Sequence, residues 1–311
     1  MSRQRSLLLA LVSRLDPSSR EKPLSSREVH ELINSNDFQT IVDSGEVPDS
    51  ALTQSIGIER LSYLISTEAQ TSLAVESLAH KGIWCATLFD EISETRLNSS
   101  LKNLCPPVLF GVGERALLLE PGYGVVGSRN LNPDGESLAR QAGELCASTS
   151  HALISGGARG ADLIAMKGAI DNGGRSLGFL ASGLTQAFGD PQTMSLIHDG
   201  LLTLATPYSP EAPFSVGNAM GRNKLIYGAS EVVLVVAADS EKGGTWAGAV
   251  EALKHGYSQV NVWQGNGGGT GNKGLVAAGG TAVESNVDFF SKSQRSRAKT
   301  PDAEMEQIAL F

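Results

Sequence analysis

Between Tyr123 and Trp263, short and continuously apolar runs alternate with segments of helical periodicity. The runs are YGVVG, ALIS, SLGFL, LLTLAT, EVVLVVAA and QVNVW. Strands without polar alternation are buried on both faces, which is the condition of a parallel sheet covered by crossover helices. The intervening residues predict those helices over Asp134–Ser148, over Ala161–Asn172, in NAMGRNKLIYGA and in GTWAGAVEALKHG. Right-handed crossovers between such strands lead to the α/β class and a doubly wound, Rossmann-like parallel sheet.

The chain before this pattern reads as a small, mainly helical N-terminal domain. SSREVHELINS opens on a serine cap with Glu28 in its first turn. GIERLSYLISTEAQTSLAVESLAHKG is helical and stops at Gly82, GIWCATLFDE is a short strand or extended segment, and LCPPVLFGVG is a proline-bounded connection. The apolar run Leu7–Val12 is too short for a secretory leader and is followed at once by Arg14, so it predicts an amphipathic helix. GNGGGTGNKG predicts a flexible loop. The expected division is a helical domain and connector over 1–118, a Rossmann-like domain over 119–285 and a polar tail over 286–311. The three cysteines form no C-x-x-C pair and no metal spacing, which predicts a reduced, cytoplasmic protein with neither metal nor membrane span.

In an open parallel sheet, ligands bind beyond the carboxyl ends of the strands. Four loops there have unusual composition: VGSRN (Val126–Asn130), SGGARGAD (Ser155–Asp162), ASGLTQ (Ala181–Gln186) and DSEKGGTW (Asp239–Trp246). Glycine lets backbone approach a ligand, and the amides at a following helix start attract an anion. The loops therefore predict phosphate binding at Gly127, Ser128, Ser155, Gly156, Gly157, Gly160, Gly183, Gly243, Gly244 and Thr245. Arg129, Arg159, Arg222, Lys224 and Lys242 would add charge, Asn223 would read a base edge or cap a turn, and Asp162 would cap its helix or orient Arg159. The spacing G-G-x-x-G is not a dinucleotide fingerprint, and G-x-x-x-x-G-K-[ST] is absent, so neither NAD nor ATP is an expected cofactor. The formal net charge of −8 excludes a basic footprint over the whole surface; a polyanion site must be local.

GVVGSRN, LISGGARGADLIA, FSVGNAMGRNKLIYGAS and GGTWAGAVEAL together resemble the bacterial DNA-processing family DprA, also called Smf, over roughly Cys105–Trp263. The resemblance implies a dimeric protein that binds single-stranded DNA, loads the RecA recombinase during transformation and has no catalytic residues. It departs from the family at Ala165-Met166, where Ala-His is usual, and at Lys224, where a second arginine is usual; a C-terminal winged helix is also not apparent. Such departures fit a divergent member, including one paired with a toxin in phage defence.

Two other readings stay open. GRNKLI followed by GGTWAGAVE is similar to the nucleotide phosphoribohydrolase family LOG, which would make Glu251 assist N-glycosidic cleavage and Arg222 hold the phosphate, although the glycine motif and spacing differ. A nucleotide-sensing module on the same fold is the second. Separately, the final QIALF resembles the sliding-clamp-binding pentapeptide, with Gln307, Leu310 and Phe311 as its contact residues.

Overall fold

The computed structural model describes residues 2–15 and 19–292. They form a sheet of nine strands: β1 (Trp84–Thr87), β2 (Val108–Val112), β3 (Gly122–Val126), β4 (Ala152–Ser155), β5 (Ser176–Phe179), β6 (Leu202–Thr206), β7 (Val232–Val235), β8 (Gln259–Trp263) and β9 (Thr281–Val283). The spatial order is β1-β2-β6-β5-β4-β3-β7-β8-β9. From β6 across to β9 every pairing is parallel, and β1 and β2 add to the β6 edge in antiparallel fashion. The six apolar runs read from the sequence are β3 to β8; four of their connections carry the expected helices, and the connection from β5 to β6 carries two that were not read, Thr185–Phe188 and Pro191–His198.

Side chains of successive strand residues leave opposite faces. Val125, Leu153 and Leu234 enter the core on one side, beneath the helices Pro133–Ala147 and Ala161–Asp171. Val126, Ile154 and Val233 enter the core on the other, together with Leu225, Ile226 and Tyr227 of the helix Val216–Ala229. The first pair of helices touches backbone to backbone. A Cβ on Gly143 would lie 2.1 Å from the Ala165 carbonyl oxygen, and one on Gly168 would lie 2.7 Å from that of Arg140.

Three expectations need correction. The proline-bounded connection contains β2, buried at all five positions. Pro106 and Pro107 stop just short of it, where no ladder amide is required of them. The helix Arg3–Val12 is not amphipathic: Ser6 to Leu11 are all buried, as in a helix surrounded by its own protein. Arg5 anchors it to the sheet edge, donating to the Cys85 carbonyl at 2.5 Å and pairing with Asp90 at 3.2 Å. The glycine-rich loop is also shorter than expected, because a helix over Asn272–Ala277 and β9 follow it. Two strands thus come from the first 118 residues. No described helix is long and apolar enough to cross a membrane.

The chain leaves β3 toward β4 on one side and later returns to place β7 on the other, with Val126 opposite Val235. At such a reversal the two following loops diverge and leave a crevice.

Candidate functional site

The crevice is occupied by a cleft of about 410 Å³ at the carboxyl ends of β3 and β7. Arg129 enters it from the loop after β3, Arg222 and Asn223 from the helix Val216–Ala229, and Lys242, Gly243, Gly244 and Thr245 from the loop after β7. A second hollow of about 360 Å³ adjoins it, shares Arg129, Ala158, Phe214 and Arg222, and extends to Gly156, Gly157 and Arg159. Arg129, Arg159 and Lys242 are exposed, while Arg222 is only 5% exposed. Asp239 is an exposed acid at the same rim.

The floor is built on two buried opposite charges. The Nη1 and Nη2 edge of the Arg222 guanidinium abuts Gly156, so close that a Cβ there would stand 1.6 Å from Nη1 and 2.6 Å from Nη2. Its Nε and Nη1 are buried without a hydrogen-bond partner among the described residues. Beside it Asp162 is buried at the start of the helix Ala161–Asp171. Burial pushes the Asp162 carboxyl up, against the pull of Arg222 and of the Gly156 and Gly127 amides. Burial in turn lowers the Arg222 pKa, Asp162 opposes that, and the nearby Arg129 adds to it. An arginine held against glycine beside a carboxylate, and lining both hollows, places a positive charge where an incoming anion would sit.

The loop glycines fall into two groups. The amide of Gly156 donates to Asp162 at 3.2 Å, and that of Gly127 turns toward the same carboxylate. The Gly183 amide donates to the Ala212 carbonyl at 2.7 Å, and a Cβ on Gly183 would stand 2.1 Å from the Pro210 carbonyl oxygen. These three amides are therefore spent inside the protein. Gly127 and Gly160 serve packing: a Cβ on the first would meet Ala161 at 2.6 Å, and one on the second the Ser128 carbonyl at 2.3 Å. Ser155 is buried and donates to the Val125 carbonyl at 2.6 Å. Gly157 is different. Its φ is +63°, nothing but Leu180 comes within 4 Å of an added Cβ, and neither its amide nor that of Ala158 has a partner among the described residues. No side chain caps the helix Gly243–His255 either, which leaves its positive end toward the cleft.

Other predicted residues brace the walls. Asn223 donates to the Gly244 carbonyl at 3.0 Å, which ties its helix to the loop after β7. Thr245 donates to the Gly127 carbonyl at 3.0 Å and ties that loop to β3. Ser128 accepts from the Asn130 amide at 3.1 Å, and Arg159 donates to the Asn130 side chain at 2.6 Å. Arg222 is two turns into its helix, which begins at Val216, rather than near the start. Lys224 is not in the cleft. Two residues further along a helix of 3.6 residues per turn it points about 200° away from Arg222, and it lines a separate cavity. Glu251 accepts from the Tyr257 hydroxyl at 3.3 Å and is not among the residues lining the cleft. Gln307, Leu310 and Phe311 lie outside the described residues.

Sequence reasoning missed the apolar wall. Phe214, Val216 and Met220 are 53%, 73% and 42% exposed and all line the cleft. Phe214 also lines the adjoining hollow. Tyr227 is buried at the base, and its hydroxyl has no partner among the described residues. The available signal was a phenylalanine one residue before the Ser215 helix cap, in a stretch with no periodicity to bury it.

Comparison with known proteins agrees with this architecture. Residues 89–294 match the sequence model of a family described as DNA recombination-mediator protein A. The chain is 30% identical to Protein Smf of Synechocystis over 148 residues, 44% of this chain and 36% of that protein. It is 31% identical to Protein Smf of Escherichia coli K12 over 205 residues, 64% of this chain and 54% of the other. The chain thus spans between about a third and about half of the curated relatives it matches. Among solved structures, DNA processing protein A (DprA) of Streptococcus pneumoniae superposes with a TM-score of 0.64 at 22% identity, covering 85% of this chain and 96% of that one. DNA processing protein A of Helicobacter pylori, described with a single-stranded DNA binding mode, gives 0.55 at 21% identity, covering 66% and 93%. At these identities the likeness is one of fold.

Proposed function

The chain belongs to the DNA recombination-mediator protein A family, and from that premise we propose that it binds single-stranded DNA along the rim at the carboxyl ends of β3, β4 and β7, without turning it over. The observation that carries the proposal is convergence. In a chain of net charge −8, Arg129, Arg222 and Lys242 line one cleft, and Arg129, Arg222 and Arg159 line the hollow beside it. A row of cations beside an exposed apolar strip is the arrangement a single strand needs. Phosphates take the charge and unpaired bases lie on the apolar faces.

The roles divide by depth. Arg129, Arg159 and Lys242 are exposed and meet backbone phosphates as the strand crosses the rim. Arg222, deeper, answers one phosphate seated in the cleft, and the free amides of Gly157 and Ala158 supply a second, uncharged contact. Phe214 and Met220 offer surfaces for bases. None of these contacts is a bidentate reading of a base edge, so binding is expected to be tolerant of sequence. The described residues contain no cluster of three metal-ligating side chains, and the reading requires neither metal nor cofactor.

Finer roles follow from the family resemblance: self-association as a homodimer, RecA loading in DNA recombination and transformation, or service as the DprA-like half of a defence toxin–antitoxin pair. A sliding-clamp contact through Gln307, Leu310 and Phe311 is a separate proposal that rests on the QIALF resemblance. The test of the core proposal is fluorescence anisotropy with a labelled single-stranded oligonucleotide, competed by duplex DNA and by nucleoside monophosphates. The proposal expects the single strand to bind far more tightly than the duplex and to resist displacement by monophosphates. Tight monophosphate binding in the cleft with release of free base would replace it with a hydrolase.

A further inference from the structure

The displaced lysine leads to a different place. The helix Val216–Ala229 has two lined faces. Ala219, Arg222, Asn223 and Ile226 face the DNA cleft, and Asn218, Gly221, Lys224 and Leu225 face a second cavity. These are i, i+3 and i+4 stripes of one helix, turned away from one another. The second cavity measures about 610 Å³. It is enclosed by the helix, by the proline run before β2, by the Pro207–Pro213 segment and by two N-terminal stretches around Arg14 and Pro23–Ser26.

We propose that this cavity is a binding site for a small organic anion that carries a flat ring. The inference stands apart from the reading of the DNA cleft. It rests first on charge. Lys224 and Arg14 line the cavity, and among the described residues no aspartate or glutamate does, although acids outnumber bases in the chain as a whole. Lys224 is half-buried, and neither it nor Arg14 has an ion-pair partner among the described residues. A half-desolvated ammonium without a counterion is an unmet demand for one.

It rests second on the walls. Pro23, Pro106, Pro107, Pro207 and Pro213 all face the space. Proline walls are stiff and bring no amide donors, so they shape a site for a flat apolar body rather than for a polar one. Tyr208 joins them. Its hydroxyl donates to the Asn218 carbonyl at 2.8 Å, which fixes the ring in the wall. A preformed, mostly apolar concavity of a few hundred Å³ with a small number of placed charges is the usual form of a small-ligand site. A ligand seated there would touch the same helix that carries Arg222.

The test is isothermal titration of the full chain with two probes that share an anion on a ring: thymidine 5′-monophosphate, for a nucleotide source, and phenyl phosphate, for an aromatic-acid source. Thymidine and inorganic phosphate each lack one half of that chemistry. The proposal expects at least one ring-bearing probe to bind, both half-probes to bind at least tenfold more weakly, Lys224→Ala to weaken binding at least tenfold and Lys224→Arg to restore most of it. Lys224→Gln serves if the alanine variant is poorly folded by circular dichroism. No binding by either probe overturns the proposal, as does binding that survives loss of the Lys224 charge. Single-stranded DNA binding, measured on the same samples, reports on the cleft separately, so failure of one reading is distinguishable from failure of the other.

Discussion

Gly156→Ala tests the position of Arg222 without removing its charge. The new Cβ would stand 1.6 Å from Nη1, 2.5 Å from Cζ and 2.6 Å from Nη2. To regain an ordinary separation of about 3.5 Å, the whole guanidinium must retreat by roughly 2 Å, and the open direction is into the cleft it lines. Overpacking of this kind costs about 1–3 kcal/mol of stability, a drop of a few degrees in melting temperature for a chain of this size. The larger effect is on binding. If the seated guanidinium answers a phosphate, its charge-assisted hydrogen bond is worth about 1.5–3 kcal/mol, so affinity falls roughly ten- to a hundredfold. The assay is anisotropy with a single-stranded oligonucleotide at fixed salt, beside a melting curve of the same sample, as a double-mutant cycle with Arg222→Ala. Acting through one guanidinium, the two substitutions together should weaken binding no more than Arg222→Ala alone. A folded Gly156→Ala protein with unchanged affinity, or losses that simply add, would refute the seating of Arg222 as a determinant of binding.

Other outcomes follow from the same geometry. Phe214→Ala should weaken single-strand binding by about 1–3 kcal/mol, alike for all sequences, if its exposed ring carries a base; anisotropy on homopolymers reads this. Lys224→Ala should leave single-strand affinity within about twofold, because a residue about 200° around the helix from Arg222 does not reach the cleft. Gly143→Ala should destabilise the fold by roughly 1–3 kcal/mol in a thermal or urea melt, since its Cβ meets the Ala165 backbone rather than a movable side chain. Lys292, 2.7 Å away, holds the Glu231 carboxyl below its ordinary value; burial opposes it, and His151 and Arg96 assist. A lowered acid contributes stability above the unfolded value of about 4.3 and loses it as pH falls through the folded value. Lys292→Ala should therefore flatten the fall in melting temperature on acidification below about pH 4.3.

Much of the sheet was legible because β3 to β8 are buried on both faces and read as unbroken apolar runs. β2 was hidden by Pro106-Pro107, which announce a connection although they end where the strand begins. β9 was hidden by its shortness and by an exposed central residue. The convergence of Arg129, Arg159, Arg222 and Lys242 was legible, since a doubly wound sheet gathers its βα loops at one edge. Two things were not. GRNK is contiguous in sequence, yet helical rotation separates its arginine from its lysine, and only the register against the sheet decides which one meets the cleft. Glycine-rich turns also have two uses, ligand approach and close packing. Asp162, which turns the Gly127 and Gly156 amides inward, sits where a helix cap or a site acid would equally sit.

The central claim is that a few gathered cations in an acidic protein hold a single strand by its phosphates, and the salt dependence of that binding tests it most directly. With Arg129, Arg159, Arg222 and Lys242 engaged, log affinity for single-stranded DNA should fall against log salt with a slope near −3, about −0.7 for each phosphate neutralised, and Arg129→Ala should make the slope shallower by about that single increment. A slope near zero, or one that does not change when a rim cation is removed, would contradict it.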